Sequence, residues 1–282
     1  MLKLRIITAA ILLSTFLVVL FLLPFFVFVV FVTVVVLIGA WEWANLSGFE
    51  SSLQRLLYAL VTASLMVSVG IYVDMAGSIK TSELMDLNLV RNIMLVAGAW
   101  WAVALLWVQG YPSSAVLWGN RWVRSFMGWL VLLPMWLAVI YLDQLPKGPW
   151  LTLLLLLTVV VADTGAYFFG RAFGKRKLAV NVSPGKSWEG FWGGLFCCAL
   201  LAMLVAVYTG SERWLVLIII LLVTSLSSVL GDLMESMVKR YRNIKDSGRI
   251  LPGHGGVMDR IDSITAAAPI FVLALLLSGW DL

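Results

Sequence analysis

The chain alternates long apolar runs with short polar stretches, and the lengths of the runs select the element. Residues 6 to 40 are almost continuously apolar. As one helix rising 1.5 Å per residue they would span roughly 50 Å, against a hydrocarbon core of about 30 Å. Pro24 near the middle is the natural place for a turn, because proline breaks the helical hydrogen-bond ladder. The same reading along the chain predicts spans near residues 6 to 23, 25 to 43, 56 to 74, 91 to 109, 125 to 141, 150 to 169, 188 to 209, 214 to 235 and 263 to 280. The expected fold is an all-α integral membrane protein with about nine transmembrane helices.

Composition strengthens that picture. Of 282 residues, 62% are hydrophobic and 12% charged, where soluble chains carry about 25% charged residues. The net charge of +5 does not call for nucleic acid as a partner, because basic residues in such a chain report orientation first. With the N-terminus cytoplasmic, sixteen basic residues fall inside: Lys3, Arg5, Arg55, Arg121, Arg124, Arg171, Lys175, Arg176, Lys177, Lys186, Lys239, Arg240, Arg242, Lys245, Arg249 and Arg260. Four fall outside: Lys80, Arg91, Lys147 and Arg213. The bias arises only if the first run is a two-span hairpin, and it places the C-terminus on the extracytoplasmic side. "MLKLR" followed by apolar residues imitates a signal peptide, but no small-residue cleavage site follows, so an uncleaved anchor is expected.

One polytopic membrane domain over residues 1–282 is the economical organisation, since no internal repeat or low-complexity linker is visible. Residues 1–149 read mainly as scaffold. Trp41, Trp43, Trp100, Trp101, Trp107, Trp118, Trp122, Trp129 and Trp136 are expected as interfacial anchors, and Glu42 between two tryptophans receives no role. The adjacent Cys197 and Cys198 point about 100° apart on a helix and read as passive packing. Residues 150–282 hold the catalytic spans and cytoplasmic loops.

Four segments in that half carry chemistry. In "ADTGAYFFGRAFGKRKL", Asp163, Tyr167, Gly170, Arg171 and Gly174 share one side of a helix; Asp163 suits either a ligand contact or a helix-terminal pairing with a lysine, and the glycines suit close helix packing. In "SPGKS", Ser183 is expected as N-cap and Pro184 as first helical residue, with Lys186 beside exposed amides that favour an anion. In "SLSSVLGDLMES", Ser225, Ser228, Asp232, Glu235 and Lys239 recur at steps of three and four, a polar stripe that must face protein or a hydrated cavity rather than lipid. In "KRYRNIKDSGRILPGHGGVMDRID", Gly253, Gly255 and Gly256 around His254 permit tight turns with amides pointing inward. Asp259 and Asp262 share a side of the last helix, where both can reach one polyphosphate-bound cation. Oxygen ligands with a single histidine favour Mg²⁺ over zinc. Lys239, Arg240, Arg242, Lys245 and Arg249 suit phosphates, or alternatively anionic lipid headgroups.

The segment from Ser236 to Asp262 resembles the signature of the phosphatidate cytidylyltransferases, or CDP-diacylglycerol synthases. "ADTGAYFFGRAFGKRKL" and "SPGKSWEGFWGG" resemble the family's other motifs, so the likeness covers roughly residues 160 to 265. Gly185 stands where many members have a second lysine, and Ser187 where threonine is frequent. The resemblance implies transfer of a cytidylyl group from CTP to phosphatidate in the bilayer, with pyrophosphate leaving. It also implies Mg²⁺ and a second metal ion at Asp232 and Asp259, and a homodimer in the bacterial inner membrane with its site on the cytoplasmic side. On this reading Asp232 and Asp259 are metal ligands, and Asp246 and Asp262 support them. Lys239 and Arg240 meet phosphates. Lys186, Ser183, Lys245, Gly255, Gly256, His254 and Asp163 complete the nucleotide contacts. The rivals are a CTP-dependent lipid kinase and a membrane transporter for an anionic metabolite.

Overall fold

The structure, a computed structural model, describes residues 2–81 and 83–279, and the side chains of residues 2–6 and 81 stand outside the described set. The expected inward placement of Lys3 and Arg5 therefore lies outside the described residues. Eleven helices follow in order among these: α1 (Leu2–Leu22), α2 (Phe25–Ser47), α3 (Ser52–Tyr72), α4 (Met75–Thr81), α5 (Leu87–Gln109), α6 (Ala115–Trp118), α7 (Arg121–Gln144), α8 (Gly148–Phe173), α9 (Trp188–Thr209), α10 (Trp214–Tyr241) and α11 (Met258–Ser278). Between α8 and α9 runs a short hairpin of β1 (Lys177–Ala179) and β2 (Ser183–Ser187). Eight of the described helices are long and apolar enough to cross a membrane. The described apolar part of α1, Ile7–Leu22, is shorter.

Every apolar run that the pattern marked is helical, and the break falls at Pro24, the N-cap of α2. The helix ends carry local signals. Ser51, Asp86 and Asn120 accept backbone N–H groups at the starts of α3, α5 and α7. Gly48 closes α2 in the left-handed conformation at φ 98°, which glycine adopts without strain. Outward faces stay apolar: on α3 alone Leu53, Leu56, Leu57, Leu60, Val67 and Ile71 are exposed. Such a face is stable against lipid and not against water.

The centre of the bundle is α7, which packs against α2, α8, α11 and α5. Gly128 leaves room for the Trp43 ring and the Tyr58 hydroxyl. Trp43 Nε1 donates to Arg124 O at 2.8 Å, and Tyr58 Oη donates to Ser125 O at 2.8 Å. The tryptophans thus divide against expectation: Trp43, Trp100, Trp101, Trp118 and Trp136 are buried in the core, whereas Trp122 is exposed. For Trp43, Trp118 and Trp136 a carbonyl or hydroxyl within reach satisfies the ring N–H, so the large ring fills a helix junction; the N–H groups of Trp100 and Trp101 are buried without a partner.

Helices α8 and α9 pack closely. A side chain at Gly190 or Gly194 would meet the carbonyl oxygen of Ala166 or Ala162 at 2.6 Å. Gly165 faces Cys197, and Gly170 faces Ser187 and Gly190. The small residues therefore serve backbone approach, as in small-xxx-small packing. Gly231 of α10 plays the same part against Asp262 and Ala266 of α11. Cys198 is buried, and both cysteines are free.

The expected helix start at Ser183 is overturned. Ser183–Ser187 is a strand, pairing Lys177 with Ser187 and Ala179 with Ser183. The N-cap is Ser187, whose hydroxyl accepts Gly190 N–H at 3.2 Å. Glu189 in the first turn accepts the Lys175 N–H at 3.0 Å and pairs with Arg176, which ties the start of the hairpin to α9 and keeps 183–187 extended.

Candidate active site

Four elements converge on one charged cleft: α8, β2, α10 and the start of α11. Helix α10 runs six residues past its predicted end, and α11 begins five residues early. Both extensions put ionisable residues on rigid helix rather than in loop. Lys186 Nζ lies 2.5 Å from Asp232 Oδ2. The Ser236 hydroxyl donates to Asp232 Oδ1 at 3.2 Å. Lys239 Nζ bridges Glu235 Oε2 at 2.9 Å and Asp259 Oδ1 at 2.8 Å, with the Glu235 side chain only 1% exposed. The Asp262 carboxyl lies within hydrogen-bonding reach of Glu235. Asp163 is open to the surrounding space and close enough to Lys186 and Asp232 for their charges to interact.

Five carboxyl groups thus surround two lysines. That crowding of carboxyl groups is the chief electrostatic feature of the cleft, with Glu235 and Asp262 within reach of each other. Among the described residues no three such side chains converge as a ready-made metal cage. Mg²⁺ does not need one, since it is commonly held by one or two carboxylates, waters and substrate phosphates. Asp232 and Asp259 carry hard oxygens of that kind, those of Asp259 also accepting Lys239, Ser247 and Gly256.

The signature loop is fixed by its own aspartate. Asp259 Oδ2 accepts Gly256 N–H at 2.8 Å and Ser247 N–H at 3.0 Å. The Gly256 amide, expected to face a ligand, is therefore spent on the protein. Gly253 and Gly255 take φ values of 78° and 83°, and Leu251 pairs with Gly255 across the turn. His254 donates its N–H to Leu251 O at 3.0 Å and accepts from Arg260 Nη2 at 3.1 Å; its Nδ1 is buried without a partner. This places His254 as a shaper of the turn. Asp246 stands beside Gly255, on the same side as the Asp259 carboxylate.

Other expected residues lie at the margin. Arg240 Nε donates to Val182 O at 3.2 Å and so clamps the hairpin turn. Ser183 stands three residues from Lys186 on β2, and alternation along a strand turns it to the opposite face. Arg171 donates to Tyr167 Oη at 3.1 Å, apart from the carboxylates. Lys245 is exposed on the rim of a 540 Å³ cavity.

Sequence reasoning missed Glu42, which is 2% exposed. Its Oε2 accepts Met258 N–H at 2.7 Å and the Ser247 hydroxyl at 3.2 Å. Asn45, one turn on, donates to Ser247 O at 3.2 Å and accepts from Arg55 Nη2 at 2.8 Å. The first half of the chain therefore grips the signature loop through α2. The signal was a carboxylate inside a predicted span, which needs a partner.

Known proteins resemble this chain in sequence. The chain is 45% identical over 282 residues to a phosphatidate cytidylyltransferase of Pseudomonas aeruginosa, covering 99% of both chains. It is 40% identical over 283 residues to one of Haemophilus influenzae, covering 96% of this chain and 97% of the relative. With one of Staphylococcus aureus strain COL it shares 34% identity over 235 residues, 74% of this chain and 90% of the relative. Residues 3–278 match the cytidylyltransferase family. The match takes in both the spans and the carboxylate cleft that they assemble, and the chain belongs to the cytidylyltransferase family.

Proposed function

We propose that this chain transfers the cytidylyl group of CTP to phosphatidate, giving CDP-diacylglycerol and pyrophosphate for phospholipid synthesis. The observation that carries the reading is the cleft of Asp232, Asp259, Asp262, Glu235 and Asp163 around Lys186 and Lys239, in a chain similar end to end to enzymes named for that transfer.

A phosphate oxygen of phosphatidate attacks the α-phosphorus of CTP. A new phosphorus–oxygen bond forms, and the bond to the bridging oxygen breaks with its electron pair leaving on pyrophosphate. An anion meeting a polyanion needs charge neutralisation and in-line placement more than a protein nucleophile. Asp232 and Asp259 are the carboxylates that would hold Mg²⁺, which would supply that neutralisation. Lys186 and Lys239 hold the phosphates. Glu235 keeps Lys239 in place, and Lys186 and Ser236 do the same for Asp232, with Asp262 beside Glu235. Lys245 draws the nucleotide toward the cleft.

The lipid partner suits a second cavity of 740 Å³ between α5, α9, α10 and the hairpin, lined by Trp101, Leu105, Phe191, Leu226, Leu230 and Leu233. These apolar positions on α10 lie around the helix from Asp232, with Arg240 at the boundary. Acyl chains fit the cavity while the headgroup meets the charged side. The nine-span topology follows if α1 also crosses, with the N-terminus cytoplasmic, the C-terminus extracytoplasmic and the cleft at the cytoplasmic end of a bacterial inner-membrane protein. A homodimer is expected from the family resemblance.

Purified protein given phosphatidate, CTP and Mg²⁺ should form lipid-bound CMP and pyrophosphate in equal amounts, and diacylglycerol should fail as acceptor. Phosphatidate made from diacylglycerol, with CDP released, would replace this reading with a lipid kinase.

A further inference from the structure

The last helix begins without a cap of its own. Val257 stands at the N-cap of α11 and makes no side-chain cap hydrogen bond, although the first N–H groups of any helix lack partners within it. The missing acceptor comes from α2. Glu42 Oε2 accepts Met258 N–H at 2.7 Å, and the Val257 N–H faces the same carboxylate. The dipole of α11 favours a negative group at that end. Gly248 and Gly256 flank Glu42, and a side chain on either would collide with its carboxylate, so the loop closes tightly around it.

Ser247 joins this cap to Asp259. Its hydroxyl donates to Glu42 Oε2 at 3.2 Å, its carbonyl accepts from Asn45 Nδ2 at 3.2 Å, and its N–H donates to Asp259 Oδ2 at 3.0 Å. Glu42 and Asn45 are three residues apart and share a face of α2. All three polar groups of Ser247, which is 1% exposed, are thus held, two of them by α2. Gly256, the other residue whose N–H meets Asp259, also lies against Glu42. Two amides set the direction of the Asp259 carboxylate, and Glu42 sets the place of both.

Resting on the cytidylyl-transfer reading, we infer that Glu42 is a positioning residue for that reaction: by capping α11 from α2 and holding Ser247, it fixes the direction in which Asp259 presents its carboxylate to a cation. Groups that orient a metal ligand weigh on the metal site nearly as the ligand does, and changing one costs about 10- to 100-fold in metal affinity or activity. The charge of Glu42 matters because hydrogen bonds to an ionised acceptor are about twice as strong as neutral ones. The N-terminal half thereby governs the reaction without placing a group on the reacting atoms.

The test is Glu42→Gln in the purified full chain. Glutamine keeps the length of the side chain and an oxygen for Met258 N–H, and removes the charge. At fixed CTP, the Mg²⁺ concentration giving half-maximal transfer should rise about tenfold or more, with little change in KM for phosphatidate. A second readout needs no turnover. Mg²⁺ with CTP and no lipid should raise the unfolding midpoint of the parent, and the variant should need about tenfold more Mg²⁺ for the same rise. A purely structural anchor gives a different result, because fewer folded molecules lower the rate at every Mg²⁺ concentration alike and leave half-saturation where it was. If Glu42→Gln does not fold, Ser247→Ala decides. It removes the hydroxyl link to Glu42, keeps the N–H on Asp259, and should raise half-saturation about threefold or more, the worth of one neutral hydrogen bond. Unchanged half-saturation in folded Glu42→Gln, or in Ser247→Ala where the first does not fold, overturns the inference. Wild-type protein that puts no CMP on lipid overturns the transfer reading itself, while the midpoint titration still decides the part played by Glu42.

Discussion

Lys239 shows how much of the site hangs on one side chain. Its ammonium joins Glu235 on its own helix to Asp259 at the head of α11, and Asp259 in turn holds Gly256 and Ser247. Removing the charge leaves two carboxylates facing each other in a poorly hydrated space. Lys239→Met should therefore cost about 3–5 kcal/mol of stability, as breaking a buried pair does, seen as a lower unfolding midpoint in detergent. Lys239→Arg should recover most of the midpoint; a Met variant as stable as the parent would mean that the bridge is only a surface pair. The i, i+4 spacing of Glu235 and Lys239 was legible in the sequence because a helix imposes it. The grip of Glu42 on residues 247 and 258 was not. It depends on how α2 docks against a loop two hundred residues away, and no local period encodes that.

At the scale of the element, run length and Pro24 sufficed to place the helices, because apolar helices in lipid have few alternatives. The helix start expected at Ser183 and Pro184 is instead strand β2 of the hairpin. Ser-Pro is a common opening for a helix, but here Glu189 and the Ser187 cap set the boundary four residues later. The α8–α9 contact makes a sharper prediction. Gly194→Val places its side chain against the Ala162 carbonyl, so it should lower the yield of folded protein and the unfolding midpoint. Gly185 has nothing within 4 Å of an added side chain, so Gly185→Lys should fold and unfold as the parent does. A Gly194→Val protein with the parent's midpoint would show that the helices part without cost.

Across the whole molecule, charge distribution and fold point the same way. The carboxylate cleft, the hairpin and the signature loop gather at one end of the bundle, while Lys147, in the left-handed conformation, precedes α8 at the other. Lys147→Ala should leave turnover within about twofold, as surface changes away from a site do; a large loss would put the site at the wrong end. Reporter fusions should find the two termini on opposite sides of the membrane, and termini on one side would remove a span. Composition and motifs made the membrane class and the charged cleft legible. The division of labour between halves was not, since α2 supplies Glu42 and Asn45 to a site whose signature residues all follow residue 160.

The central claim is that the cleft performs cytidylyl transfer with Asp259 as a ligand-bearing carboxylate. The direct measurement is transfer of label from CTP, marked at its α-phosphorus, onto phosphatidate by purified wild-type protein and by Asp259→Asn. The amide keeps the shape and can still accept Ser247 or Gly256, but it brings no anionic oxygen to a cation. Wild type should move the label into lipid in step with pyrophosphate release, and the folded Asp259→Asn protein should do so about a thousandfold more slowly or worse, a barrier rise of about 4 kcal/mol. Label appearing in lipid at comparable rates in both proteins would contradict the account.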